Sequence, residues 1–250
     1  MLEITKAALK DKLRNKILYY VCLMGIIIAL FVVLNAKIKW DGKIVNNFKT
    51  QAAIITSIIS FFACVLSILL SSNTIPNEYE RKTSHLLFIR GVRRWQYTFS
   101  LTASNVIISI ISLFLLSLSL IILSVIKNEI GHLRYIAGTI AILSINVVVL
   151  SVITSFLSKN ISAIAAGFFG LMFYFVGILH DTIEILTKTI GSSKIIHYIL
   201  LVVPNLSDVQ KQAGHFMDGN RIDIYPLVVQ VLYMYIILSL VLVVPGRRLD

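Results

Sequence analysis

Six long apolar runs constrain this chain of 250 residues more than any other feature. None of them has Asp, Glu, Lys or Arg in its interior. A helix needs about 20 mostly apolar residues to cross a bilayer core, and a segment in lipid must satisfy its own backbone hydrogen bonds, which favours helices. The runs therefore predict an all-α integral membrane protein. The six predicted transmembrane helices are 17–34, 52–72, 101–126, 135–157, 161–179 and 225–244.

The composition agrees with a membrane protein. Hydrophobic residues make up 57% of the chain and charged residues only 14%, whereas soluble domains carry about 25% charged residues. The first run follows five basic residues but has 18 residues without charge, longer than the core of a signal peptide, which is about 7–15 residues. We expect a retained first helix, preceded by a basic amphipathic helix over residues 1–16 that lies in the membrane interface. Residues 17–250 then form one transmembrane domain.

The distribution of basic residues predicts the orientation. With the N-terminus in the cytoplasm, six spans return the C-terminus to the same side, and the inside segments have the higher density of Lys and Arg. This arrangement follows the positive-inside rule. Because no basic stripe lies on a soluble domain, the net charge of +11 indicates anionic lipid headgroups as partners, not nucleic acid.

One charged stretch interrupts the apolar pattern, between the second and third spans. Glu78 and Glu80 suit the start of a helix, where the helix dipole favours acids, and Asn73 or Thr74 could cap it with Pro76 in its first turn. Residues 77–90, named here the docking segment, are therefore predicted to form a short helix along the cytoplasmic face. On these residues alone, a solvated basic loop fits as well as a docking helix.

The six spans and this stretch resemble the permease subunit of type-2 exporters of the ATP-binding-cassette class. The motif is Glu78-x-Glu80-Arg81-x-Thr83-x-x-Leu86-Leu87, followed by Arg93 and Arg94. The chain departs from the family pattern at Lys82 and at Arg90-Gly91. The resemblance implies that the docking segment is the coupling helix, which inserts into a cleft of the ATPase subunit. The residues then implied to dock on the ATPase are Glu78, Glu80, Arg81, Thr83, Leu86, Leu87, Arg93 and Arg94.

The resemblance also implies the partners and the cofactors. The chain has no Gly-x-x-x-x-Gly-Lys-Ser/Thr motif, so it cannot cradle ATP phosphates by itself. Two ATPase subunits would bind ATP and Mg²⁺, and a second permease copy would complete the exporter as a homodimer. We expect no catalytic residue, no metal site and no cofactor on this chain.

Polar residues in or near the spans are the candidates for a pathway or an interface. Asn105 opens the third span and Asn146 lies midway along the fourth, where polar side chains are costly and often functional. The predicted outer segment 180–224 contains the short apolar run 195–206, which ends in Pro204-Asn205. This segment resembles the re-entrant helices that the family has between its last two spans. Helix packing is the expected role of the many serines of the third span.

The sequence constrains the transported substrate less than it constrains the class of protein. Within the family that the chain resembles, its small outer loops and scattered aromatic residues are more similar to exporters of amphipathic, membrane-active peptides. The resemblance then implies export from a bacterial cell through the cytoplasmic membrane. Export of a lipid-linked polysaccharide or another small hydrophobic compound is the alternative, together with a non-transporting immunity or sensor protein. An intramembrane protease is disfavoured because the His-Glu-x-x-His motif is absent from the sequence.

Overall fold

The computed structural model is helical almost throughout the part of the chain that it describes, which is residues 2–14, 16–34, 39–40, 43–44, 48–80, 89, 91–190, 200 and 202–244. A 3₁₀ turn lies at Ile130–His132, and two-residue strands at Lys39–Trp40 and Lys43–Ile44 pair antiparallel. The helices are α1 Leu2–Leu13, α2 Lys16–Leu34, α3 Phe48–Glu80, α4 Arg94–Ile126, α5 Leu133–Asn160, α6 Ala163–Ile178, α7 His180–Ile190, α8 Leu206–Met217 and α9 Tyr225–Val243.

Each of the six apolar runs lies in a helix, and several of these helices can cross a membrane. Four are long and apolar enough among the described residues: Phe48–Glu78, Arg94–Ile126, Leu133–Asn160 and Tyr225–Val243. Helices α6 and α7 add a fifth if their pair, bent by 63°, counts as one broken span. In α2 the described apolar stretch, Leu18–Ile28, is shorter than these candidate spans. The chain is therefore a multi-pass membrane protein with four to five candidate spans, and the sixth stays a prediction.

Helix α5 lies at the centre of the bundle. It packs against α3, α4, α6, α8 and α9, and hydroxyl groups join it to α3. Ser67 donates to the carbonyl oxygen of Val147 at 3.0 Å, and the hydroxyls of Ser71 and Ser151 are 3.0 Å apart. Such bonds between helices stabilise packing in a bilayer, where apolar burial alone gives little driving force between helices.

A small residue brings α6 close to the same helix pair. A Cβ atom added at Gly170 would lie 2.9 Å from both Ile68 and Thr154, so glycine allows α6 to approach α3 and α5 together. Small residues at helix interfaces allow such close packing in membranes. By contrast, α9 presents most of its surface outward: its apolar window is only 11% buried, as expected for a helix facing lipid or a second subunit.

Helix α3 corrects the predicted start of the docking segment. It continues without a break to Glu80, with Pro76 inside it. The amide of Asn73 donates to the carbonyl oxygen of Leu69 at 3.1 Å. The Thr74 hydroxyl lies 2.6 Å from the carbonyl oxygen of Leu70. These side chains bond the preceding turn and do not cap a new helix, so the predicted cap is wrong. Side chains of this kind, with neighbouring helices, let membrane helices tolerate an internal proline.

Helix α1 corrects the predicted polar face of the N-terminal segment. The helix is present, and Ile4 and Ala8 pack against Tyr97 and Leu101. Lys12 is also buried, with 8% of its surface exposed, although basic residues are expected on the polar face of such an amphipathic helix. Its burial follows from the helical repeat, since residues at positions i, i+4 and i+8 share one face.

The connection between the fourth and fifth spans is shorter than predicted. Ser158, Lys159 and Asn160 were expected to form it, but α5 continues through Asn160. Only Ile161 and Ser162 separate α5 from α6, and the Ser162 hydroxyl caps α6 by accepting from the backbone N–H of Ala165. Lys159 is buried and donates to the carbonyl oxygens of Val241 and Val244, at 2.8 and 2.5 Å. It thereby binds the C-terminal end of α9.

Candidate functional site

Four of the residues predicted to dock on an ATPase lie at the end of α3 and the start of α4. Glu78 and Glu80 belong to the last turn of α3, and Arg93 and Arg94 lie at the start of α4, with Arg93 as its N-cap residue. Gly91, shortly before α4, has a φ of 82°, a positive value that glycine adopts readily. Outside the described residues lie Arg81, Thr83, Leu86 and Leu87.

One hydrogen bond joins the end of α3 to the start of α4. The Tyr97 hydroxyl donates to a carboxylate oxygen of Glu78 at 3.3 Å. Tyr97 is 1% exposed, so its ring is fixed in the core while its hydroxyl reaches the helix end. The last turn of α3 and the first turn of α4 are therefore held together next to the docking segment.

A buried polar cluster lies one to two turns deeper and joins four helices. The Lys12 ammonium of α1 donates to Asn105 Oδ1 and, at 3.1 Å, to Ser104 Oγ of α4. The Thr74 hydroxyl of α3 lies 2.7 Å from the same Asn105 oxygen. Asn105 Nδ2 donates to Ser155 Oγ of α5 at 2.7 Å. We name Lys12, Thr74, Ser104, Asn105 and Ser155 the lysine cluster.

Burial changes the acid–base behaviour of Lys12. Loss of water lowers the pKa of its ammonium from 10.5 to about 7, although the negative charges of Glu78 and Asp11 act in the opposite direction. Desolvation penalises the charged form, which explains the sign. Lys12 is therefore a titratable group near neutral pH at the junction of α1 with the helix bundle.

A polar cavity of about 200 Å³ opens beside the cluster, between α1 and α3. Acidic and amide side chains line it, together with Lys12 and apolar residues of α3. These polar lining residues are Asp11, Asn73, Thr74, Asn77 and Glu78. Movement of the end of α3 would alter both this cavity and the surroundings of the ammonium group.

Asn105, a candidate from the sequence for a pathway or an interface, lies at the centre of an interface between helices. Its lysine partner was not predicted. The signal was the spacing of Ile4, Ala8 and Lys12, which puts a charge on the apolar face of α1.

The other predicted polar residues meet at the opposite end of the bundle. Asn146 Nδ2 donates to the backbone oxygen of Leu206 at 3.0 Å, so α5 holds the first residue of α8. Asn205 is the N-cap of α8 and accepts from the backbone N–H of Asp208 at 3.2 Å. Pro204 is buried just before it. These residues fix where α8 begins, and the preceding residues 191–199 and 201 lie outside the described residues.

Charged groups around Asp181 attach α7 to α8. Its carboxylate accepts from the Lys211 ammonium, from Ser207 Oγ at 2.6 Å and from Asn205 Nδ2 at 3.2 Å. Its negative charge and hydrogen bond raise the pKa of the Lys211 ammonium. This exposed pair favours the bend between α6 and α7 by giving the first turn of α7 a partner.

The same aspartate belongs to the one group of possible metal ligands among the described residues. Ligand atoms of His180, Asp181 and Glu184 lie within 4.8 Å of one another. The Asp181 carboxylate already accepts three hydrogen bonds. A cation would have to displace these partners, so the arrangement suits helix attachment better than metal binding.

No protein-family model matches the chain, and no curated protein matches it as a relative.

Proposed function

We propose that this chain is the membrane-spanning subunit of an ATP-binding-cassette exporter in a bacterial cytoplasmic membrane. Two copies would assemble with two ATPase subunits, which bind ATP and Mg²⁺. The cargo would be an amphipathic or hydrophobic compound, a membrane-active peptide in the first place. The main observation in support of this proposal is the continuous helix α3, which extends from the bundle core to the acidic turn at Glu78 and Glu80.

The lysine cluster supports a mechanical role for this end of the molecule. A displacement at the docking segment would act on α3 directly and on α4 through the bond between Tyr97 and Glu78. Both helices meet α1 and α5 at Asn105. A push from an ATPase at the docking segment would therefore reach four helices within a few residues.

The energetics also favour an external power source. Proton-driven carriers use titratable side chains within their spans. In the described candidate spans the charged residues lie near the helix ends, as Glu78 and Lys159 do. ATP hydrolysis on a partner subunit would then supply the free energy for transport in place of a proton gradient.

Co-purification with an ATPase tests the proposal. The tagged chain, extracted from membranes of its own host, is expected to bring down an ATP-binding-cassette ATPase with measurable ATP hydrolysis. Glu80→Ala combined with Leu86→Ala should reduce the bound ATPase by about tenfold or more, as loss of interface anchors does.

A matched pair at the other end of α4 serves as the control. Glu129 and Leu133 are exposed there, so Glu129→Ala combined with Leu133→Ala should leave the bound ATPase unchanged. Equal recovery of the ATPase with all three proteins would refute docking at residues 77–90. Absence of any ATPase from the wild-type preparation would refute the proposed class.

A further inference from the structure

A second cavity lies at the opposite end of the bundle from the lysine cluster, between the first turns of α8 and α9. Its volume is about 270 Å³, many times the space that one water molecule needs. Polar and aromatic side chains line it on both sides. Those that matter for its chemistry are Asn205, Asp208, Tyr225, Gln230 and Tyr233.

Gln230 is the most informative residue of this cavity. It is 3% exposed, and its Nε2 donates to the backbone oxygen of Asn205 at 2.6 Å. That bond fixes the orientation of the amide, because a carbonyl oxygen accepts only from the NH₂ group. The Oε1 atom then has no hydrogen-bond partner among the described residues. A buried acceptor without a donor costs free energy, so the cavity favours a ligand that donates a hydrogen bond.

The surrounding charge specifies the donor further. The Asp208 carboxylate lines the cavity, and Asp181 lies close by, where both share the single ammonium of Lys211. Among the described residues, two carboxylates share one ammonium here, which leaves a net negative charge. A cationic donor is therefore favoured and an anion is repelled.

Two tyrosine rings complete the site. The Tyr233 hydroxyl donates to the backbone oxygen of Val202 at 2.9 Å, which holds its ring beside the cavity, while Tyr225 is 74% exposed at its rim. Tyrosine faces attract ammonium groups, and Pro226 and Val229 provide apolar surface for a carbon chain.

We propose that this cavity binds a primary ammonium group carried on an apolar chain. The ammonium would donate to Gln230 Oε1 and lie near Asp208, with its chain along Pro226 and Val229. A lysine of an amphipathic peptide and the headgroup of phosphatidylethanolamine both present this chemistry. The site does not depend on the proposed export function.

Fluorine NMR of the protein in nanodiscs tests this site. The chain labelled with 3-fluorotyrosine is placed in phosphatidylglycerol nanodiscs, and the signals of Tyr225 and Tyr233 are assigned with Tyr→Phe variants. Hexylammonium should shift these two signals saturably, whereas hexanoate and hexanol should not. Equal shifts with hexanoate, or shifts spread over all ten tyrosines, would overturn the proposal.

Variants separate a specific site from general adsorption. Asp208→Asn removes the charge and keeps the backbone N–H that Asn205 caps, and Gln230→Met removes the acceptor at similar volume. Each should weaken hexylammonium binding about tenfold, as loss of a charged or hydrogen-bonded partner does. Asp218→Asn, at the other end of α8, is the matched control and should bind as the wild type does. If Asp208→Asn and Asp218→Asn behave alike, the site is not the one described.

Competition experiments distinguish the two possible sources of the ammonium group, a lipid headgroup and a peptide side chain. If the site holds a lipid headgroup, nanodiscs with phosphatidylethanolamine should abolish the hexylammonium shift. If it holds a peptide side chain, that lipid should have no effect, and a lysine-containing amphipathic peptide should compete while its acetyl-lysine form should not. Failure of every competitor in the presence of a normal hexylammonium shift would overturn the proposed ligand class.

Discussion

The Tyr97 hydroxyl donates to the Glu78 carboxylate at 3.3 Å and so links the end of α3 with the start of α4. The two residues are 19 positions apart: Glu78 lies near the start of the docking segment and Tyr97 lies seven residues beyond its end. The hydrogen bond therefore ties the end of α3 to the start of α4. Loss of this bond should affect these two helix ends before the rest of the bundle.

Tyr97→Phe should lower the thermal stability of the protein in nanodiscs. The change removes one hydrogen bond, worth about 1 kcal/mol, which corresponds to a shift in Tm of about 2–4 °C in a domain of this size. Tyr235→Phe is the control, because Tyr235 lies on α9 with 66% of its surface exposed, and its Tm should stay at the wild-type value. An unchanged Tm for Tyr97→Phe would show that the link carries no stability.

Docking of α1 on the bundle should depend on pH through Lys12. Burial lowers the pKa of its ammonium from 10.5 to about 7, so undocked α1 binds a proton between these values that docked α1 does not. Docking is therefore favoured as pH rises from 7 towards 10, by up to about tenfold per pH unit, and is independent of pH below 7.

Spin labels can measure this equilibrium. Labels at Leu2 and Ile126, both exposed, report the distance from α1 to the far end of α4 in a protein with Cys22 and Cys64 replaced by Ala. The distribution should narrow between pH 7 and pH 10 in the wild type. With Lys12→Met it should be independent of pH, and a persisting pH dependence in that variant would assign the effect to another group.

The lysine cluster should behave as one unit in a double-mutant cycle. Asn105→Leu removes one of the two acceptors of the buried Lys12 ammonium and leaves only Ser104 Oγ, so it should cost about 3–5 kcal/mol. Adding Lys12→Met should recover about 1–3 kcal/mol, since the stranded charge is then gone. Unfolding of the four proteins in mixed micelles gives these energies.

A serine outside the cluster provides the comparison for that cycle. Ser119 bonds only the preceding turn, at the carbonyl oxygen of Leu116, so Ser119→Ala should change stability by less than about 0.5 kcal/mol. If the effects of Asn105→Leu and Lys12→Met simply add, the two residues do not interact energetically.

The contact of α8 with α5 should be sensitive to one methyl group. A Cβ atom at Gly138 would lie 1.8 Å from Phe216 Cε1, so Gly138→Ala should destabilise the protein by about 1–3 kcal/mol through overpacking. Phe216→Leu in the same protein should restore part of the loss by making room.

A second glycine provides the matched control for this contact. Gly214 of α8 has nothing within 4 Å of an added Cβ, and Gly214→Ala should be neutral or stabilising by up to about 1 kcal/mol through helix propensity. Equal melting temperatures for Gly138→Ala and Gly214→Ala would mean that α8 does not lie on α5 in the membrane.

The sequence predicted the helices well where apolar length alone decides them. Prediction from the sequence failed where contacts with a neighbouring helix decide where a helix begins or ends. The proline rule placed a boundary near Pro76, but Asn73 and Thr74 bond the preceding turn and α3 continues. Likewise Lys159 was placed in a loop because lysine is rare in spans, whereas the end of α9 supplies two carbonyl oxygens for it.

Helix α8 was within reach of the sequence but was left inside a broad outer segment. Leu206, Val209, Ala213 and Met217 recur at helical spacing and are all buried, and Asn205 precedes them as a cap. The cavity beside Gln230 could not have been foreseen, because it depends on how α8 and α9 meet.

The serines of α4 have a consequence for any solute that passes through the bundle. The hydroxyls of Ser109, Ser112 and Ser119 donate to carbonyl oxygens three or four residues earlier in the same helix. Because their hydrogens are already donated within the helix, these hydroxyls offer a solute only their oxygen atoms, as acceptors. This side of the bundle could therefore replace less of a solute's lost water than its serine count suggests.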